Sequence, residues 1–496
     1  MFSSLFYLSQ RVVVSNFYKK QVALDATKKD AVPLPATHPE NPPGAQVLRR
    51  VFGIRGTYHE REFGEIAYGV GDLSELLMYK FRKYISSNVR HWKSESEVDE
   101  TLAEYFSEEA VRLPHDCSTP EALEWIVAES YGALIAHREG DELVVDTREL
   151  APFIRPGHDL LDCVVHLSIT AGRVRLTSIA HGEARYTREQ TSTAAGALAL
   201  RACVAAMFTI ITLKYHLLYC HTEMADQYTT FAMKRIAPTH PLRRLLGFVE
   251  FETLRGNDQA ILTLLDYTFP TFMNVDRDGM RRYLEYGKGE FDLFRFFHFP
   301  TMMEALGHGD EASFEAQPIL HIAKRWWGPV YRFVADYVSC YFANEEAIDD
   351  ATRQWMQDLL SMYGRAGGAL RDAYIEVAST LIYTSVVHKL VFNGETFDRN
   401  PFRFTSRLRK GTADADVAGL IENEHETLVR SSVGLSVTLA SVTIDNDFSY
   451  LAVDDGGARC FQQFAQDVKE MEIALADAFE RNSILKPDTI ACSLRW

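Results

Sequence analysis

KYHLLYCHTEMADQY, residues 214–228, sets His216 and His221 five positions apart inside an otherwise apolar stretch. On an α-helix five residues turn the chain by about 500°, so the two imidazoles project about 140° apart and cannot share a ligand. A local π-turn, with its i to i+5 hydrogen bond, brings both onto one face, and such turns concentrate at functional sites. The spacing leaves two readings open: one core and one surface histidine, or a paired site. Upstream, ACVAAMFTIITL (202–213) is a short apolar run bounded by Arg201 and Lys214, too short by itself to span a bilayer. Helix is expected from near residue 190 through the histidine pair.

Further out, AKRWWGPVYRFVADYVSCYF (323–342) and EEAIDDATRQWMQDLLSMYG (345–364) repeat apolar residues every three or four positions, the period of an amphipathic helix. ALRDAYIEVASTLIYTSVVHKLVF (369–392) is nearly all apolar, which predicts a central helix, and it carries His388. FQQFAQDVKEMEIALADAFERN (461–482) is amphipathic and stops before Pro487. The exception is VVHLSITAGRVRLTSIAH (164–181), two alternating β-rich runs around a turn, which predicts a hairpin. The fold class expected is mainly α, a large single helical domain with a long central helix pair and a small β-hairpin element. AVPLPATHPENPPG (31–44) holds five prolines and reads as extended, so residues 1–44 form an amino-terminal lead and 45–496 the domain.

Composition is that of a globular protein, 47% hydrophobic and 24% charged, which excludes disorder for most of the chain. A formal charge of −16 without a Lys/Arg stripe argues against nucleic acid as a partner and limits membrane contact to the periphery. The cysteines at 117, 163, 203, 220, 340, 460 and 492 are never arranged as CxxC, which implies reduced thiols and no zinc site. The apolar start MFSSLFYLSQRVVV lacks a basic flank and holds Arg11, so a cytoplasmic protein is expected, with secretion the alternative.

Two buried helices thus carry histidine on an apolar background, and burying neutral imidazoles is costly unless their ring nitrogens find partners, which a shared metal supplies. The succession HLLYCH, RIAPTHPLRRLL (235–246), WGPVYRFVADYVSCYF with EEAIDDATRQW, ASTLIYTSVVHKLVFNG (378–394) and a tail helix ending ERN resembles the catalytic domain of the lipoxygenases, over roughly residues 145–496. No room is expected for the amino-terminal β-barrel domain that many members carry. The resemblance implies a non-haem iron, with manganese the alternative, held by His216, His221 and His388. It implies hydrogen abstraction from a 1,4-pentadiene of a polyunsaturated fatty acid, followed by addition of O2. It also implies that PDTIACSLRW (487–496) brings the terminal carboxylate of Trp496 to the metal.

Departures from the family pattern are specific. Phe392 stands four residues after His388, where the family has a donor, and Asn393 follows it. Either that ligand is lost or a bulge turns Asn393 inward, and Gly394 keeps the register that favours loss. Thr212 and Glu395 occupy places where the family often has glutamines bridging substrate cavity and metal ligands, and a carboxylate there could orient a ligand histidine. The resemblance puts Ala260 at a position that influences where oxygen adds, and Leu264, one turn on, where it would shield the pentadiene, though Leu264 reads equally well as an ordinary core leucine. Arg235 and His240 read either as carboxylate binders or as a helix terminus before Pro241. These departures leave open a lipoxygenase-like metalloenzyme acting on another apolar metabolite, and a non-catalytic lipid-binding relative.

The Trp496 expectation has a direct consequence. Three neutral imidazoles leave a divalent charge to be offset by an anion, and an ordinary chain end is solvated instead. A short carboxy-terminal tag is therefore expected to abolish metal binding, and an amino-terminal tag to leave it intact, read by elemental analysis of the purified proteins. Full metal content in the carboxy-terminally tagged protein would remove Trp496 from the site.

Overall fold

The computed structural model describes residues 119–237, 239–247, 269–308, 311–365, 367–396, 407–411, 417–422 and 443–490. The proline-rich lead and the beginning of the domain that follows it lie outside the described residues, as do Ala260, Leu264 and Trp496. Helix α1 (Pro120–Glu129) starts on a proline at its first turn, where a missing N–H leaves no acceptor unsatisfied. It lies against an antiparallel sheet of five strands in sequential order: β1 (His137–Glu139), β2 (Glu142–Asp146), β3 (Cys163–Thr170), β4 (Arg173–His181) and β5 (Ala184–Thr187). The expected hairpin is the β3–β4 pair, closed by Ala171 and Gly172, both at positive φ (51° and 70°), as a two-residue turn with the twist of its strands requires. Strands β1, β2 and β5 extend it into a meander.

Glu124 of α1 seals the helix to the sheet. It accepts from Arg175, from the Leu176 backbone N–H and from Arg188 at 2.8–3.0 Å, so a buried carboxylate is fully partnered. At the far end of β4, His181 Nε2 meets Asp159 Oδ1 at 2.8 Å. The same loop holds Leu161 at φ 56°, a strained value for a leucine. Thr147 Oγ1 donates to the Leu161 carbonyl at 2.8 Å, and Leu161 N donates to Asp159 Oδ1 at 2.9 Å. Asn274, from the chain ahead of the next helical block, donates to the Asp159 carbonyl and accepts from Leu408 N, both at 2.9 Å. Segments far apart in sequence are thereby tied at one polar junction.

The helical body begins with α2 (Ala194–Ile210), capped by Thr193 Oγ1 on Gly196 N, and runs without a break through a π-helical segment (Ile211–Asp226) into α3 (Gln227–Arg235). Taken as one piece, Ala194–Thr229 is long and apolar enough to cross a membrane, yet 78% of its most apolar window is buried inside the protein, which makes it a core helix. Then follow α4 (Pro241–Leu245), α5 (Arg277–Lys288), α6 (Leu293–Phe297) and α7 (Phe299–Ala305). Next come α8 (Pro318–Tyr341), α9 (Asp350–Met362), α10 (Leu370–Thr396) and α11 (Asp455–Ala474). Helix α10 is buried on nearly all sides, as its continuous apolar sequence demands: Tyr374, Val377, Ala378, Leu381, Ile382, Tyr383 and Val386 expose nothing. Its Tyr383 hydroxyl donates to the Ala323 carbonyl of α8 at 2.9 Å, and Trp326 of α8, wholly buried, donates to the Leu485 carbonyl at 3.0 Å. Each large ring thus buries its apolar body while its polar tip finds a partner.

The His181–Asp159 pair makes folding pH-dependent. Burial opposes a charge on His181, but the Asp159 hydrogen bond, with the nearby Cys163, Asp159 and Asp162, outweighs it and lifts the imidazole to about 9. Because the folded value is raised, the stabilisation is fully present below the ordinary histidine value near 6.5 and drains away as pH rises through about 9. The contribution is at most roughly 3 kcal/mol. The thermal midpoint of the native protein is expected to fall from pH 7 to pH 10 more steeply than that of His181→Gln; parallel curves would contradict the assignment.

Candidate metal centre

The π-helical segment decides the geometry of the site. An amide ladder of i to i+5 bonds widens the helix, so five residues complete little more than one turn and His216 and His221 share a face. The helix is still α-type at Ile211, whose N–H reaches the carbonyls of Met207 and Phe208, and widens after it. Thr222 Oγ1 donates to the Leu217 carbonyl, five residues back, at 3.1 Å, reinforcing the wide turn from the side chain.

Two residues before His216, Lys214 is buried against Glu149 at 2.9 Å and against Glu290, and Glu149 also accepts from the Tyr283 hydroxyl at 2.6 Å. A buried cation so fully partnered pins the start of the wide turn to α5 and to the chain around residue 149. Sequence reading missed this cluster, because an isolated lysine after an apolar run carries no hint of partners from two distant segments.

His388 enters from α10. His216 Nε2 lies 3.0 Å from His221 Nε2 and 3.0 Å from His388 Nε2, and the last two are also 3.0 Å apart. His216 and His221 are wholly buried, and His388 nearly so. Hydrogen bonding does not account for an equilateral triangle of ring nitrogens. A neutral ring nitrogen is either a donor or an acceptor and never both, so at most two of the three contacts can be hydrogen bonds and the third sets like against like. A cation at the focus does account for it. At metal–nitrogen distances of about 2.1 Å, right-angle coordination puts nitrogens about 3.0 Å apart, whereas a tetrahedral centre would spread them to about 3.4 Å. Three imidazoles meeting at one point, with no thiolate among them, are a donor set that a divalent transition metal fits. Burial pushes His388 well below the ordinary histidine range, and His216, His221 and Lys389 push the same way, so its nitrogen stays neutral and available.

Of the other predicted residues, Thr212 is fully buried one helical turn before His216, and its Oγ1 has no hydrogen-bond partner among the described residues. Phe392, Asn393 and Glu395 lie in the last turns of α10, and their side chains lie outside the described residues, as does all of Trp496. His240 is a helix terminus: its Nδ1 accepts from Leu242 N at 3.3 Å, its Nε2 meets Thr352 Oγ1 at 3.0 Å, and Arg235 is paired with Asp358. A second group with metal-binding residue types, Asp159, Asp162 and His181, is the ion-pair junction described above.

No protein-family profile and no curated protein matches the sequence. Solved structures do match by fold. Coral 8R-lipoxygenase superposes with a TM-score of 0.70 at 13% identity, over 82% of this chain and 70% of that one. The manganese lipoxygenase of Gaeumannomyces graminis gives 0.67 at 13% identity, over 97% and 98%. A LOX variant crystallised anaerobically in complex with arachidonate gives 0.71 at 14% identity, over 98% and 82%.

Each of His216→Ala, His221→Ala and His388→Ala is expected to lower bound metal at least tenfold, measured by elemental analysis on protein whose far-ultraviolet circular dichroism is unchanged. His240→Ala and His181→Gln are expected to leave it at the native level. Equal metal content across all five variants would dissolve the site.

Proposed function

From a lipoxygenase fold whose core helices deliver three imidazoles to one point, we propose that the protein is a non-haem metal dioxygenase, iron-dependent or manganese-dependent, that inserts O2 into a polyunsaturated fatty acid to form a hydroperoxide. The observation that carries this reading is the 3.0 Å triangle of His216, His221 and His388 nitrogens. His216, His221 and His388 would hold the metal, with the Trp496 carboxylate as anionic partner and Phe392 leaving one position without a protein donor. When bound, the metal supplies one-electron redox chemistry that no side chain here offers.

The chain's own part is positioning and exclusion. Burial disfavours a proton on His388, and His216 and His221 are wholly buried beside it, so the site is shielded from water. Leu217 and Leu218 between the first two histidines, with Val387, Leu390 and Val391 around the third, are fully or almost fully buried, so the ligands sit in a dry apolar setting. Such a setting suits an apolar chain and protects a radical from water. Ala260 would influence where oxygen adds and Leu264 would shield the pentadiene, and the complex of a structural relative with arachidonate supports a long unsaturated acid as the substrate class.

The buried Thr212 hydroxyl, with no partner among the described residues, favours one second reading. A polar group at that depth is suited to a substrate bearing its own donor or acceptor, an apolar metabolite other than a simple fatty acid. Metal analysis with oxygen uptake on linoleate and arachidonate decides between them. About one iron or manganese per chain with rising conjugated-diene absorbance is expected. Stoichiometric metal without uptake would favour the second reading, and absence of metal would leave a non-catalytic lipid-binding protein.

A further inference from the structure

Cys340 lies in the last turn of α8 and Cys460 early in α11, 120 positions apart, yet their Sγ atoms are 3.5 Å from each other. Both are free thiols; Cys340 is exposed and Cys460 half-buried. The seam around them is locked. Gly457, one turn before Cys460, admits Tyr337 and Tyr341 where a Cβ would collide with the Tyr341 hydroxyl. Tyr341 donates to Asp454 Oδ1 at 2.9 Å, and the rings of Phe461 and Phe464 pack on Phe333 at 5.0 and 4.7 Å. Arg332 pairs with Asp467 at 3.1 Å on the same two helices. Contacts along the seam, and not the two rotamers alone, therefore hold the sulfurs together.

We propose that Cys340 and Cys460 form a redox-closable staple between α8 and α11, oxidised by low-molecular-weight disulfides of the glutathione class. The exposed Cys340, as thiolate, attacks one sulfur of the small disulfide, breaking its S–S bond and expelling one thiolate. Cys460 then gives up its proton to solvent, and its sulfur attacks Cys340 in the mixed disulfide, forming the protein S–S bond and expelling the second thiolate. Two protein thiols are oxidised to one disulfide, and one small disulfide is reduced to two thiols. The order follows from the environment: burial and the contact with Cys340 push the Cys460 thiol up to about 12, so it serves as the second attacker. Cys163 and Cys203 also interact but are wholly buried, which denies them to an oxidant of this size and makes them an internal control.

The closed loop spans α9 and α10, and so includes His388; cross-linking it restricts the unfolded chain and should raise thermal stability. The test uses the full-length protein, equilibrated with oxidised glutathione or with dithiothreitol, alkylated with N-ethylmaleimide and digested with trypsin. A linked pair of peptides 333–353 and 460–469 is expected, lost on reduction. The apparent melting temperature should rise by about 5 °C, a rise absent from Cys340→Ser and Cys460→Ser. Recovery of both thiols as maleimide adducts, persistence of a glutathione adduct on Cys340, or links to other cysteines would overturn the proposal. So would a cross-link that leaves the melting temperature unchanged, or an equal rise in the serine variants.

Discussion

Three imidazoles taken out of water and brought to one point are the constraint around which this protein is arranged. A buried neutral histidine needs a partner for each ring nitrogen, and three nitrogens aimed at one another repel until something positive lies between them. The lysine cluster beside the centre serves the same end from outside. Lys214 spends its charge on Glu149 and Glu290 and adds no second cation to the focus of the three rings.

The wide-helix segment follows from that constraint. Sixteen residues of i to i+5 bonding give up the tighter packing of an α-helix, and such a stretch persists only where surrounding contacts over-determine it. Here the determinants are the Lys214 ion pairs at its start, the Thr222 hydroxyl within it, and the tertiary seam that α5 and α10 make along its length. Removing or adding one residue between His216 and His221 would rotate one histidine relative to the other. The segment should therefore tolerate changes of side chain far better than changes of length.

Much of this was readable before any coordinates. The helices at 323–342 and 345–364 follow apolar periodicity and that at 369–392 its nearly unbroken apolar run, and the structure places α8, α9 and α10 there to within about five residues. The hairpin was legible because β3 and β4 are long and alternate; β1, β2 and β5 were not, since three to five residues such as HRE or ARYT give too few alternations to register. The histidine triangle was approachable because spacing, apolar background and motif order agreed. What stayed hidden shares one property: the partners lie far apart in sequence. Glu149 and Glu290 beside Lys214, Asn274 between Asp159 and Leu408, and Cys460 against Cys340 are pairings that only the folded chain creates.

The tip of the β3–β4 hairpin offers something practical. Ala171 and Gly172 are exposed, face open space, and belong to a turn whose strands are held by their own ladder. No ligand histidine lies on those strands. Exposed loop tips of this kind are where foreign sequence is best accommodated. A reporter peptide or affinity handle grafted between these two residues would give an experimental grip on the protein while leaving both chain ends in their native form.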